Sequence, residues 1–179
     1  MSLITLESPQ ATERIGAHLA GFLRAHSPWS ERHFEIGLQG HLGAGKTALA
    51  RALIAALGSE IPATSPTYTL SNVHPAPGLT VCHVDCYRLG GPEDWDALGL
   101  DDAAGAGHLW LVEWPERCGL AGDWRFELSG MGERRELAAS AGEEWSGLLV
   151  LWLEALGRDG LADPVHRSSE ERVPSDGGR

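Results

Sequence analysis

Lysine is almost missing from this chain: Lys46 stands alone in 179 residues, beside thirteen arginines. That scarcity excludes an Asn-Lys-x-Asp segment for reading guanine, because no second lysine exists to supply it, and it leaves adenine as the expected base of any bound nucleotide. Positive charge is scarce in general. With 25 acidic and 14 basic residues the net charge is −11, and nucleic-acid binding normally draws on a clustered basic face. Strong direct binding to nucleic acid is therefore not expected, and an RNA role needs a partner. Long apolar runs are also missing, since no stretch approaches the ~20 residues needed to cross a bilayer. Residues 1–7 carry neither a basic segment nor a run of signal-peptide length, so a cytoplasmic chain with no membrane partner is expected. The three cysteines, Cys82, Cys86 and Cys118, are not spaced as a disulfide framework and suit a reducing compartment. A zinc site from Cys82, His83, Asp85 and Cys86 is disfavoured, because residues four apart on a strand lie about 13 Å from each other. Buried thiols facing away from Asp85 are the expected alternative.

What is present suffices for a core. Hydrophobic residues make up 42% of the chain and include seven tryptophans, enough for one compact domain over residues 1–156. Residues 157–179 are polar and rich in Gly, Pro and Ser, and read as a disordered tail. Ser2 to Leu6 reads as a short strand, and Ile15, Leu19, Phe22 and Leu23 recur at helical spacing within Gln10 to Arg24. Thr67 to Val73 and Leu79 to Asp85 read as strands around a turn at Pro75 to Gly78, with a short helix over Pro92 to Leu98. Leu109 to Val112 is a nearly all-apolar run that suits a strand buried on both faces. Phe126 to Leu128 and Arg135 to Ala139 are weaker strands that can pair as a hairpin. Trp145 to Leu156 gives a closing amphipathic helix.

The only lysine lies within Gly40-His41-Leu42-Gly43-Ala44-Gly45-Lys46-Thr47, which satisfies the pattern GxxxxGK[ST]. Glycines at 40, 43 and 45 admit backbone conformations closed to other residues and let consecutive N–H groups surround a phosphate. The helix that follows the loop adds its positive end. Lys46 would reach the β and γ phosphates, and the Thr47 hydroxyl would meet Mg²⁺. His33 to Gln39 alternates before the glycines as a strand, while Ala48 to Leu57 is rich in helix formers and stops at Gly58. Strand, loop and helix thus stand in the order of a P-loop unit.

Hydrolysis also needs a carboxylate near the metal and a group for the nucleophile. Glu113 follows four hydrophobic residues at the end of a strand, and Asp85 closes another, at the edge where α/β sheets bind ligands. These features predict an α/β P-loop NTPase-type fold of three layers, with a mainly parallel central sheet flanked by helices.

Four blocks in order and spacing, Gly40 to Thr47, Ser65-Pro66-Thr67-Tyr68-Thr69-Leu70, His83-Val84-Asp85-Cys86-Tyr87-Arg88-Leu89 and Glu113-Trp114-Pro115-Glu116-Arg117, resemble the TsaE (YjeE) family over roughly residues 5–140. The resemblance implies a small ATPase acting with TsaB and TsaD in forming N6-threonylcarbamoyladenosine at position 37 of tRNAs that read codons beginning with A, with ATP and Mg²⁺ as cofactors. It implies that the ATP cycle resets the complex, while the carbamoyl transfer belongs to TsaD.

Carried over by position, Lys46 holds phosphate with Gly40, Gly43, Ala44, Gly45, Thr47 and Ala48 around it; Thr47 and Glu113 bind Mg²⁺; and Asp85 positions or activates the attacking water. Thr67 falls in a segment that senses the γ-phosphate, and Thr12 lies near the adenosine. An arginine after the late glycine approaches the nucleotide; of Arg134 and Arg135, Arg134 is the preferred candidate. His41 replaces an acid usual in the loop, and Cys86 a usual leucine. The alternatives are a small-molecule kinase on the same loop, disfavoured because only Arg134 and Arg135 cluster as lid arginines would, and a nucleotide sensor without turnover.

Overall fold

In the structure, a computed structural model, residues 2–66, 68–100, 105–130 and 132–161 are described, together with the backbone of 165–166. The helices are α1 (Pro9–His26), α2 (Lys46–Ala56), α3 (Pro92–Ala97) and α4 (Ser146–Arg158). The strands are β1 (Ser2–Leu6), β2 (Phe34–Gln39), β3 (Ser71–Ala76), β4 (Leu79–Asp85), β5 (His108–Glu113), β6 (Trp124–Ser129), β7 (Arg135–Ala141) and β8 (Val165–His166). They join one sheet in the order β3-β4-β5-β2-β6-β7-β1-β8.

The parallel part is narrower than the sequence suggested. Only β4, β5, β2 and β6 run parallel to one another, while β3 pairs antiparallel with β4 on one side and β7, β1 and β8 pair antiparallel in succession beyond β6 on the other. Short turns explain the difference. Pro77 and Gly78 turn β3 into β4, β6 is separated from β7 by a link almost as short, and so short a connection can only join antiparallel strands. The α/β class and the layering hold.

Strand alternation divides the apolar residues between two cores. On one face Phe34, Ile36, Leu38, Leu109, Leu111 and Phe126 pack under α1, α2 and α4. On the other, Cys82, Val84, Trp110 and Val112 meet Trp95 of α3, with the Trp95 and Trp110 rings 5.5 Å apart. β5 contributes to both cores, which is why its sequence is apolar without alternation. Cys82, Cys86 and Cys118 are buried in the second core, where burial pushes their thiols up.

Boundaries moved where local chemistry outweighed pattern. α1 begins at Pro9 because the Ser8 hydroxyl caps it, accepting from Ala11 N–H at 3.2 Å. The strand expected from Thr67 begins only at Ser71: Leu70 is left-handed (φ 64°) and its N–H donates to Pro66 O at 2.7 Å, closing a turn. Pro75 and Ala76, expected in the turn, belong to β3, where proline is tolerated because β3 is a sheet edge. In the expected tail, α4 continues to Arg158 and Val165 and His166 pair with Leu3 and Ser2. No helix among the described residues is long and apolar enough to cross a membrane.

α1 crosses α2 at Gly16, where a Cβ would stand 2.6 Å from Ala52 Cβ. Gly16→Val is therefore expected to destabilise the fold by about 1–3 kcal/mol, the usual size of overpacking. At Gly21 of the same helix a Cβ would meet nothing within 4 Å, so Gly21→Ala should hold or raise stability. Thermal unfolding of both variants checks the pair, and equal melting points would contradict the packing argument.

Candidate nucleotide site

Three adjacent parallel strands end together. In register, Leu38 of β2 and Asp85 of β4 both pair with Glu113 of β5, so the loop that follows β2 and the two acids share one carboxyl edge of the sheet. The loop then turns back into α2, whose N-cap is Gly45. Gly40, Gly43 and Gly45 have φ of 131°, 79° and 108°, in the range that disfavours side chains. At Gly40 the restriction is also steric, since a Cβ would fall 2.1 Å from Leu128 O.

Lys46 is 4% exposed. Its ammonium donates to Gly40 O (2.7 Å) and His41 O (3.0 Å) and lies 3.8 Å from the centre of the Trp114 ring. The charge is thus held inside the loop by groups that cannot neutralise it. Burial lowers the Lys46 pKa, opposed by Glu113, Asp85 and Glu116.

The Thr47 hydroxyl donates to Glu113 Oε2 at 3.0 Å, and His83 Nε2–H donates to Glu113 Oε1 at 2.9 Å. Asp85, also buried, accepts from Tyr87 N–H at 3.0 Å, which caps a short 3₁₀ turn and fixes the carboxyl. Thr47, Glu113 and Asp85 offer oxygen alone. Such a set suits Mg²⁺, which takes one or two protein groups and fills its shell with water and phosphate. Among the described residues, no group of three or more His, Cys, Asp or Glu side chains forms a protein-only metal cage.

The loop and the start of α2 lie between two cavities that share Gly45 and Ala48. The smaller, about 280 Å³, is lined by Lys46, Thr47, Ser65, Asp85, Glu113 and Trp114 among others. The larger, about 640 Å³, has Thr12 and Arg51 beside an apolar wall of Ala52, Ala55 and Ala56. The smaller cavity holds the charged side chains of the loop and the strand ends, and the larger has the more apolar wall that ligand pockets commonly show.

Most expected residues converge here, with Ala44 buried inside the loop. Thr67 lies outside the described residues. Arg134 is exposed, with its Nε 3.7 Å from Glu7. Arg135 is the one of the pair that touches the loop, its Nε donating to Ala44 O at 2.9 Å and another nitrogen to Gly43 O at 3.3 Å. His41 also ties the loop to the β6–β7 turn, with Nε2 3.2 Å from Gly130 O. Trp114 and His83 were not singled out for this site. For His83 a signal existed, since residues two apart on a strand share a face and Asp85 follows it by two.

Residues 6–137 match the family described as Threonylcarbamoyl adenosine biosynthesis protein TsaE. Similar curated proteins carry the name tRNA threonylcarbamoyladenosine biosynthesis protein TsaE. That of Haemophilus influenzae is 36% identical over 88 residues, covering 49% of this chain and 56% of the relative. The Rickettsia conorii protein is 35% identical, covering 63% and 60%. The Streptomyces coelicolor protein is 40% identical, covering 57% and 66%. The aligned part of this chain thus spans between about half and two thirds of these relatives' lengths. The crystal structure of Bacillus subtilis YdiB has the same fold, with a TM-score of 0.59 over 89% of this chain and 98% of that one at 23% identity. With a family match over most of its length, on a sheet whose edge carries a P-loop and two strand-end acids, the chain belongs to the TsaE family.

Proposed function

We propose that this chain is a Mg²⁺-dependent ATPase, acting in the cytoplasm with TsaB and TsaD to form N6-threonylcarbamoyladenosine at position 37 of tRNAs that read codons beginning with A. The carrying observation is the 3.0 Å contact of Thr47 Oγ1 with Glu113 Oε2, beside the Lys46 ammonium and in register with Asp85. The names of the relatives supply the modification, and the net charge of −11 argues that tRNA is met through partners.

In this reading the adenosine occupies the larger cavity near Thr12, and the triphosphate passes the backbone N–H groups of Gly43 to Ala48 into the smaller one. Lys46 binds the β and γ phosphates. Thr47 and Glu113 would hold Mg²⁺, which when bound offsets charge on the phosphate oxygens. Asp85 orients a water and accepts its proton. Arg135 is engaged with loop carbonyls rather than reaching toward the γ-phosphate side as an arginine finger would. Such a finger contributes ~10³ or more to rate, so the isolated chain should be slow and its partners stimulatory.

Phosphate release from Mg·ATP, with and without TsaB and TsaD, tests the reading. Stimulated, metal-dependent release is expected; no release with partners present would sink it, and phosphate transferred to a metabolite would favour a kinase. The two arginines give a separate check on nucleotide affinity. Arg135→Ala should weaken binding roughly tenfold, the scale of a charge-assisted hydrogen bond, because it loosens the loop. Arg134→Ala should leave affinity unchanged, and calorimetric titration distinguishes the two.

A further inference from the structure

His83 has 0% exposure in β4, on the same face as Asp85. The two oxygens of Glu113 are divided between two elements: Oε1 accepts from His83 Nε2–H at 2.9 Å and Oε2 from the Thr47 hydroxyl at 3.0 Å. On the far side of the imidazole, Nδ1 is buried with no hydrogen-bond partner among the described residues, and the His74 ring stands 6.5 Å away, centre to centre. A buried nitrogen without a partner is unfavourable. A leucine would fill similar space without that penalty, so packing does not account for histidine here; the single hydrogen bond to Glu113 does.

We propose that His83 is a positioning residue for Glu113. By holding Oε1 it fixes the carboxylate torsions, so that Oε2 stays beside the Thr47 hydroxyl, aimed at the place of the cation. The role requires an N–H donor at the Nε2 position and no change of charge. It rests on the proposed reading of Glu113 as a Mg²⁺ ligand.

Three full-length proteins test it: the parent, His83→Leu, which keeps bulk without a donor, and His83→Gln, whose amide N–H falls near the imidazole Nε2. Mn²⁺ affinity in the presence of ADP is measured by electron paramagnetic resonance, ADP affinity in EDTA by calorimetry, and folding by thermal melting. His83→Leu is expected to weaken Mn²⁺ binding by about tenfold or more, the usual effect of losing a group that orients a metal ligand. Its ADP affinity in EDTA should match the parent, and His83→Gln should recover most of the Mn²⁺ affinity. Should His83→Leu not fold, His83→Asn, too short to reach Oε1, replaces it. Parent-like Mn²⁺ affinity in the donor-less variant, or equal losses in the leucine and glutamine variants, overturns the inference while leaving the role of Glu113 intact. If the parent takes up no Mn²⁺ with ADP, the reading of Glu113 falls and this inference with it.

Discussion

Lys46→Ala is expected to reduce ATP hydrolysis by the chain with TsaB and TsaD by at least about a hundredfold, the scale on which one preorganised charge-stabilising donor acts. No other lysine can substitute for this ammonium, and Arg135, which touches the loop, is committed to Gly43 O and Ala44 O. Deletion also leaves Gly40 O and His41 O without the donor that now bridges them at 2.7 and 3.0 Å. Loop geometry and phosphate attraction are therefore lost together, and ATP affinity should fall with rate. Lys46→Arg separates the two contributions. It keeps the charge but replaces a compact ammonium shared by two carbonyls and the Trp114 ring with a planar fork, so the donor geometry changes while the charge does not. Phosphate release and ATP binding are the measurements; an alanine variant with the parent's rate would refute the placement of the triphosphate.

The loop that holds Lys46 was readable from sequence because its determinants are local. Three glycines, a lysine and a threonine at fixed spacing, between a strand pattern and a helix pattern, specify one backbone path, and all three glycines adopt positive φ. Asp85 and Glu113 were readable as strand ends, although their pairing was not: only the parallel register of β4 with β5 puts them side by side. Which of Arg134 and Arg135 touches the loop depends on which residue opens β7 and so which way it points, and neighbours identical in type leave no trace of that in sequence. Sheet direction was misjudged for a similar reason. Alternation reveals buried faces but not which neighbour a strand joins, so beyond the hairpin expected of β6 with β7 the antiparallel pairing of β1 was not legible, and β8 lay in the segment read as a tail. The face of His83 was legible from Asp85 two residues on, but its pairing with Glu113, thirty residues away in sequence, was hidden until β5 was known to lie next to β4.

Asp85→Asn should separate binding from turnover. The substitution keeps an oxygen able to accept from Tyr87 N–H, so the 3₁₀ turn and the end of β4 should survive. What it removes is negative charge and proton affinity at a buried position level with Glu113. A positioned base contributes typically ~10²–10⁴ to rate, and hydrolysis should fall within that range. ATP affinity should hold or rise, because one carboxylate fewer faces the triphosphate. The variant is then expected to accumulate the ATP-bound form, seen as unhydrolysed nucleotide retained through gel filtration. Glu113→Gln should behave differently: if Glu113 holds the cation, Mg²⁺ demand rises and excess metal recovers part of the rate, whereas no Mg²⁺ concentration restores Asp85→Asn. That contrast decides between the two acids. Equal rescue of both variants by metal would make Asp85 a second ligand rather than the base, and parent-like hydrolysis by Asp85→Asn would reduce it to the cap of a turn.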